Sequence, residues 1–142
     1  MRCFLLDTGI AGLYIDRKRG VFERAHTELT KGNRIGIGAP VLGELAYRAE
    51  GSPKRECNLQ RLRQALGVWK LWLVDMEGAF EYARIAFELK KLGRPIGQND
   101  IWIAAIAKTL GNTTVVTLDT NLSAVPGLSV ENWTLPAPGS VA

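Results

Sequence analysis

The chain has 142 residues, of which 46% are hydrophobic and 23% charged, the balance of one globular domain with a buried core. A formal charge of +4 favours a polyanionic partner such as nucleic acid. Two cysteines supply neither a disulfide framework nor a metal-binding spacing, so a reducing, cytoplasmic location is expected. No apolar run reaches the roughly 18 residues of a membrane span, and no signal peptide is recognisable, so we expect no membrane association.

Short apolar runs alternate with helical patterns along the chain. Strands are predicted at 2–6, 34–38, 71–74, 113–118 and 129–134. Helices are predicted at 8–17, 21–31, 40–50, 54–67, 77–92 and 100–110. This alternation predicts a single three-layer α/β/α domain over residues 1–135, with a mostly parallel central sheet of four to five strands. The tail, residues 136–142, is predicted to be disordered.

The segment 94–107 predicts a helix that lies inside the core. Pro95 and Gly97 end whatever precedes it, and Asn99 is a favourable residue to cap its first turn. The residues that follow Asp100 are apolar on nearly every side of the helix, which is typical of a buried helix. Asp100 itself can complement the helix dipole, or it can face a solvated cleft together with other carboxylates.

Three further acids are predicted to reach the same edge of the sheet. Asp7 and Asp119 each close a predicted strand, and parallel strands present their carboxyl ends at one edge, where ligands bind. Glu44 lies one turn into the helix that follows the second strand, within reach of that edge. Four converging carboxylates would raise one another's pKa unless a cation lies between them. Mg²⁺ or Mn²⁺ suits such an all-oxygen set of ligands.

Other chemistries are disfavoured. His26, the only histidine, falls in a helix predicted to be solvated, which argues against a zinc site. A serine or cysteine nucleophile lacks a plausible base, and neither a G-x-x-x-x-G-K-[ST] loop nor a G-x-G-x-x-G turn occurs. A basic protein with an acidic metal cluster suits phosphodiester hydrolysis, because Lys and Arg attract the nucleic-acid backbone. The candidate docking charges are Arg17, Lys18, Arg19, Lys54, Arg55, Lys90, Lys91 and Arg94.

One further helix pattern bears on the packing of the domain. Within the helix predicted at 77–92, Phe80, Ala83, Phe87 and Leu89 mark an apolar face, and charged residues lie between them. These four side chains are therefore expected to face the core.

With these residues in place, the chain resembles the PIN-domain ribonucleases, in particular the VapC-like toxins of bacterial and archaeal toxin–antitoxin modules. The resemblance covers about residues 2–133 and is carried by short motifs that are specific only jointly. These motifs are Leu5-Leu6-Asp7-Thr8, Val41-Leu42-Gly43-Glu44-Leu45, the stretch from Arg94 to Ala105, Val116-Thr117-Leu118-Asp119, Val125-Pro126-Gly127-Leu128 and Val130-Glu131-Asn132-Trp133.

The resemblance implies both an activity and a site. The implied reaction is endonucleolytic hydrolysis of RNA by metal-activated water, leaving 5′-phosphate and 3′-hydroxyl ends. The implied cofactor is Mg²⁺, with Mn²⁺ as a substitute, and the implied partners are an RNA substrate, a small antitoxin protein and a second copy of the chain. The catalytic and metal-holding residues would be Asp7, Glu44, Asp100 and Asp119, and the supporting residues Thr8, Thr117 and Asn99.

Two departures from the family pattern are visible. Gly9 stands where Asn, Ser or Asp is frequent, which removes a side chain that could steady Asp7. The segment between Asp119 and Pro126 is short, which leaves the placement of the fourth acid less constrained.

Two other functions stay open at this point. A catalytically silent PIN-like module could bind nucleic acid or protein, although the presence of all four acids counts against it. A receiver-like phosphoacceptor would also carry an acid after its first strand, as Asp7 does here. That fold expects neighbouring acids and a Lys after a late strand, which this chain does not offer.

Overall fold

The structure is a computed structural model that describes residues 1–136. Its strands are β1 (Cys3–Leu6), β2 (Arg34–Gly38), β3 (Lys70–Trp72), β4 (Thr113–Val116) and β5 (Ser129–Glu131). They form one five-stranded sheet in the order β3-β2-β1-β4-β5, and every neighbouring pair is parallel. The predicted parallel sheet is therefore confirmed. Of the tail predicted at 136–142, all but the first residue lies outside the described residues.

Helices fill the connections between the strands. They are α1 (Thr8–Asp16), α2 (Val21–Thr30), α3 (Ala39–Glu50), α4 (Arg55–Leu66), α5 (Met76–Lys91), α6 (Gln98–Leu110) and a 3₁₀ helix (Thr120–Ala124). The three-layer α/β/α architecture is confirmed. No helix within residues 1–136 is long and apolar enough to cross a membrane.

The centre of the core is formed by β1 and α6. Phe4, Leu5 and Leu6 of β1 are completely buried, because strands pair with β1 on both sides and helices cover it. Six residues of α6 are buried as well, as its nearly all-apolar sequence predicts. The helix packs against both β1 and β4. A strand and a helix that are both largely buried therefore pack against each other at the centre of the domain.

The register of the sheet aligns the segments that leave the central strands. Leu6 pairs with Val116, so β1 and β4 end side by side. The backbone N–H of Asp7 donates to the carbonyl of Val116 at 3.0 Å, and that of Thr117 donates to the carbonyl of Glu131 at 3.0 Å. Residues that follow β1 and β4 consequently meet at one edge of the sheet, as expected for parallel strands.

Two local expectations are wrong. Asn99 does not cap α6, because the helix begins at Gln98 and Gly97 occupies the capping position in an extended conformation. In α5, Leu89 is buried as predicted, but Phe80 and Phe87 are each 61% exposed and Ala83 is exposed too. The buried side of α5 is instead formed by Gly78, Ile85 and Leu89. Helical periodicity showed that α5 has apolar stripes and could not show which stripe packs against α6.

The close approach of β2 and β3 gives a test of the fold. A Cβ at Gly36 would lie 2.1 Å from the carbonyl oxygen of Lys70, so Gly36→Ala should lower the free energy of unfolding by about 1–3 kcal/mol. Gly43→Ala in α3 is the matched control, because a Cβ there meets nothing within 4 Å and alanine favours helix by roughly 0.5–1 kcal/mol. Urea unfolding of both variants measures the difference, and equal midpoint shifts would contradict the strand packing described here.

Candidate active site

Asp7 is a buried carboxylate held by two hydrogen bonds. It follows β1 directly and caps α1, where its Oδ1 accepts from the N–H of Ile10 at 2.8 Å. Its Oδ2 accepts from the hydroxyl of Thr117. Burial raises the pKa of Asp7, and the charges of Asp119 and Glu44 add to that rise, while the two hydrogen bonds oppose it. The aspartate therefore stands in an environment that penalises its negative charge.

Thr117 joins two of the acidic segments. Besides donating to Asp7, its Oγ1 accepts from the backbone N–H of Asp119 at 2.9 Å. One hydroxyl thus fixes the side chain that follows β1 and the backbone that follows β4. Thr117 is 2% exposed, which keeps this contact out of competition with water.

Asp119 is exposed and is held from its own 3₁₀ helix. Its Oδ1 accepts from the backbone N–H of Asn121 at 2.9 Å, and its Oδ2 accepts from the side-chain Nδ2 of Asn121 at 3.2 Å. The short segment after the fourth acid is thereby ordered as a turn of helix. Asn121 was not among the residues predicted for the site, although Asp-x-Asn spacing is a known turn signal.

Glu44 is linked across the crevice to Asn99. Glu44 is half-buried in α3, and its Oε1 accepts from Nδ2 of Asn99 in the first turn of α6. The contact joins α3 and α6 through two residues that are 55 positions apart along the chain. The side-chain amide of Asn99 therefore contacts Glu44, and Asn99 does not have the capping role that its position suggested.

Asp100 differs from the other three acids because its carboxylate makes no hydrogen bond with a described residue. It is the third residue of α6 and is half-buried. Burial raises the pKa of Asp100, followed by the charges of Asp119, Asp7 and Glu44. Position in the first turn of a helix favours the charged form through the dipole, but three neighbouring carboxylates work against it.

The four predicted acids therefore converge from four different elements. Asp7, which is buried, and Asp100, which is half-buried, each experience the charges of both Glu44 and Asp119. Among residues 1–136, no Lys, Arg or His nitrogen lies within 4.0 Å of a carboxylate oxygen of any of the four. An open recess beside them is lined by Glu44, Gly97, Gln98, Asn99 and Asp100. The crevice is thus acidic and lacks an ion-pairing partner from the described part of the chain.

Thr8 and Gly9 follow Asp7 directly, and only Gly9 bears on its carboxylate. Thr8 is buried as the first residue of α1, and its hydroxyl makes no hydrogen bond with any of the four acids. A Cβ at Gly9 would lie 3.7 Å from Oδ1 of Asp7, so a side chain at this position would touch the carboxylate. The glycine therefore leaves one side of Asp7 uncovered.

The donor chemistry of the crevice fits a hard divalent cation. All four acids offer oxygen ligands. A bound cation would stabilise the charged forms of Asp7 and Asp100, whose pKa values are raised. As placed, no three His, Cys, Asp or Glu side chains in the described chain are close enough to hold one ion together. Glu44 and Asp119 are instead held by asparagine amides. An ion bound by one or two carboxylates with waters completing its shell matches this spacing, which is the usual manner of Mg²⁺.

Comparison with known proteins places the chain in a family. The PIN domain model matches residues 4–128. Ribonuclease VapC2 of Rickettsia felis is 32% identical over 92% of this chain and 97% of its own length. The tRNA(fMet)-specific endonuclease VapC of Shigella flexneri is 30% identical over 92% of this chain and 97% of its own length.

A solved structure has the same fold over nearly the whole chain. In the crystal structure of VapBC2 from Rickettsia felis bound to a DNA fragment from its promoter, the matching chain has a TM-score of 0.84 and 31% identity. The match covers 92% of this chain and 98% of that one. Together with the sequence matches, this similarity shows that the chain belongs to the PIN-domain family and, within it, to the VapC-like ribonucleases.

Proposed function

We propose that this protein is a Mg²⁺-dependent endoribonuclease and the toxin of a toxin–antitoxin module. The observation that carries the proposal is the convergence of four carboxylates, from four elements, at the carboxyl edge of a parallel sheet without a described cationic partner. A bound divalent cation would supply charge neutralisation of a phosphodiester and activation of water at this edge. Its ligands would be drawn from Asp7, Glu44, Asp100 and Asp119, with one or two carboxylates in direct contact and the others reached through water.

The side chains around these acids have distinct tasks in the proposed site. Thr117 sets the distance between Asp7 and the segment of Asp119, because its hydroxyl contacts both. Asn99 orients Glu44 from the opposite helix. Asp100 is the acid without a described hydrogen bond, so its carboxylate is free to accept a ligand or a proton. Thr8 contributes through burial beside Asp7, and its hydroxyl is available to a bound water.

The proposed substrate is RNA, and Arg94 is the favoured docking charge. Arg94 is exposed, makes no ion pair within residues 1–136, and lies three residues before Gly97 of the acidic recess. Arg55, by contrast, is engaged with Glu50 and Glu56. Transfer RNA is the first class to assay, because the similar Shigella flexneri protein is named a tRNA(fMet)-specific endonuclease.

The proposed partners and location follow from the same family. Similar solved chains come from VapBC complexes, which favours a small antitoxin as the partner that controls this protein. We include a homodimer, a cytoplasmic location and one PIN domain over residues 1–135 in the proposal. A silent binding module is the alternative, and it differs in one respect, since it would bind RNA without producing cleaved ends.

Replacing one acid tests the activity directly. Asp100→Asn should lower the rate of RNA cleavage by more than about 100-fold, since it removes a charged oxygen donor without changing side-chain size. Glu56→Gln is the matched control, because the side chain of Glu56 is 84% exposed and lies in α4. The readout is gel analysis of a transfer RNA pool with Mg²⁺ and with chelator. The proposal would be overturned if Asp100→Asn cleaved RNA at the wild-type rate. It would also be overturned if the unaltered chain bound RNA but formed no Mg²⁺-dependent products.

The hydroxyl of Thr117 gives a second test. Thr117→Val removes the contacts to Asp7 and Asp119 at similar volume, and cleavage should fall by about 10–100-fold, the usual cost of losing a residue that orients a metal ligand. Thr117→Ser keeps the hydroxyl and should retain most of the activity. Initial rates at saturating Mg²⁺ compare the two variants. Equal rates for valine and serine would show that the hydroxyl plays no part.

A further inference from the structure

Glu131, the last residue of β5, holds a residue of the acidic site through its backbone. The N–H of Thr117 donates to the carbonyl of Glu131 at 3.0 Å, one residue beyond the end of β4. The hydroxyl of Thr117 in turn contacts the carboxylate of Asp7 and the backbone N–H of Asp119. The position of this hydroxyl therefore depends on where β5 places the carbonyl of Glu131.

Backbone pairing alone restrains β5 weakly. The strand has three residues, Ser129–Glu131, and it lies at the edge of the described sheet with β4 as its one neighbour. Short elements with few backbone hydrogen bonds and an unpaired edge open at low free-energy cost. A carbonyl that must hold Thr117 in one place consequently needs a restraint besides the strand pairing.

The side chain of Glu131 supplies that restraint. Its Oε2 accepts from the guanidinium of Arg2 at 2.9 Å, and its Oε1 accepts from Nε1 of Trp133 at 3.1 Å and from the guanidinium of Arg24 at 3.4 Å. Arg2 precedes β1 and Arg24 lies in α2, so the carboxylate joins the end of β5 to two other parts of the domain. Two of the three donors are positively charged, which strengthens their hydrogen bonds to a carboxylate.

The donors are themselves held by aromatic packing. Trp133 is 4% exposed, and its ring centroid lies 5.0 Å from that of Phe4 in β1. The guanidinium carbon of Arg24 lies 5.2 Å from the ring centroid of Trp133, and that of Arg2 lies 4.8 Å from the ring centroid of Phe4. An arginine over an aromatic face is favourable, and the contact limits the orientations of the guanidinium group. The carboxylate of Glu131 thus meets donors whose positions are already restricted.

We propose that Glu131 is a positioning residue of the active site and that it acts on Asp7 and Asp119 through Thr117. Its carboxylate fixes the end of β5, its carbonyl fixes the backbone of Thr117, and the hydroxyl of Thr117 fixes the two acidic segments. The inference rests on the proposed function and adds a residue that is neither one of the four acids nor their direct hydrogen-bond partner. It also gives a role to the motif Val130-Glu131-Asn132-Trp133, whose two larger side chains are joined by a hydrogen bond.

Amide hydrogen exchange, followed by NMR without RNA or metal, tests the restraint itself. In Glu131→Ala, the amide of Thr117 should exchange about tenfold faster relative to that of Leu5, because local opening of β5 exposes Thr117 and leaves the central strand closed. Leu5 is completely buried in β1, so its amide reports global unfolding. An unchanged ratio of the two exchange rates would overturn the proposal.

Arg2→Met provides the same test if Glu131→Ala fails to fold. It removes one charged donor and keeps a long apolar side chain at the position. The ratio of the Thr117 and Leu5 exchange rates should rise, but by less than in Glu131→Ala, because two of the three donors remain. In a folded Arg2→Met chain, an unchanged ratio would again overturn the proposal.

Cleavage kinetics test whether the restraint matters for the reaction. At saturating Mg²⁺, Glu131→Ala should lower kcat about three- to tenfold and leave KM for the RNA unchanged, because a displacement of the acids slows the chemical step without altering RNA docking. Glu131→Gln retains an acceptor oxygen and should recover most of the rate. A raised KM with an unchanged kcat would assign Glu131 to RNA contact and overturn the proposal.

Leu62→Ala is the control for general destabilisation. Leu62 is buried in α4, which carries none of the four acids. Its truncation leaves a cavity in the core, so the melting temperature should fall while kcat stays at the wild-type value. An equal loss of kcat in Leu62→Ala and Glu131→Ala would show that Glu131 acts only through stability.

A double-mutant cycle tests the route through Thr117. Residues that act through one hydrogen-bond network have non-additive effects, so adding Glu131→Ala to Thr117→Val should cause no further loss of kcat. A further loss of about three- to tenfold would show that Glu131 acts by another route and would overturn the proposal. A wild-type chain without Mg²⁺-dependent cleavage would overturn the proposed function, whereas the exchange rates would still decide whether Glu131 holds Thr117.

Discussion

Repulsion among four carboxylates at one edge of the sheet is the constraint to which the rest of the domain is adapted. In an unfolded chain these groups are far apart and solvated, whereas folding brings them together and partly buries two of them. The free energy that offsets this repulsion and burial must come from elsewhere in the structure. The central strand β1 and the buried helix α6 supply part of it, because they carry Asp7 and Asp100 on largely buried elements.

Local hydrogen bonds then decide which acids are fixed and which is free. Thr117 holds Asp7, and asparagine amides hold Glu44 and Asp119. Asp100 has no such restraint among the described residues, although it lies on the largely buried helix α6. The site thus combines three oriented carboxylates with one that is positioned mainly by its backbone. A divalent ion would relieve the repulsion that this arrangement creates, so affinity for the ion and stability of the fold are linked.

Three of the four acids lie at boundaries that the sequence marks, whereas Glu44 lies inside α3. Asp7 ends an apolar run, Asp100 begins an all-apolar helix, and parallel topology brings such boundaries to one edge. The role of Asn99 could not be derived in the same way. Its position near a helix start suggested a cap, but the true cap is Gly97, and the amide is used in a contact with Glu44 that depends on how α3 and α6 meet.

The exposed side of α5 shows a second limit of the same reasoning. Periodicity identified Phe80 and Phe87 as an apolar stripe, yet an exposed apolar stripe has the same pattern as one that faces the core. Asn121 was missed for a different reason, since the Asp-x-Asn spacing indicates a turn but does not show that its side chain holds an acid of the site. The ends of strands and helices could be predicted from the sequence, but the contacts that individual side chains make with one another could not.

The linkage between metal and fold is tested most directly by thermal unfolding of the wild-type chain and Asp100→Asn, each with and without Mg²⁺ at equal ionic strength. Without metal, Asp100→Asn should melt at the higher temperature, because the substitution removes a carboxylate whose surroundings disfavour its charge. With Mg²⁺, the wild-type melting temperature should rise while that of the variant stays nearly constant. A wild-type chain whose melting temperature is unaffected by Mg²⁺, or a variant that gains as much as the wild type, would contradict a divalent site built on these four carboxylates.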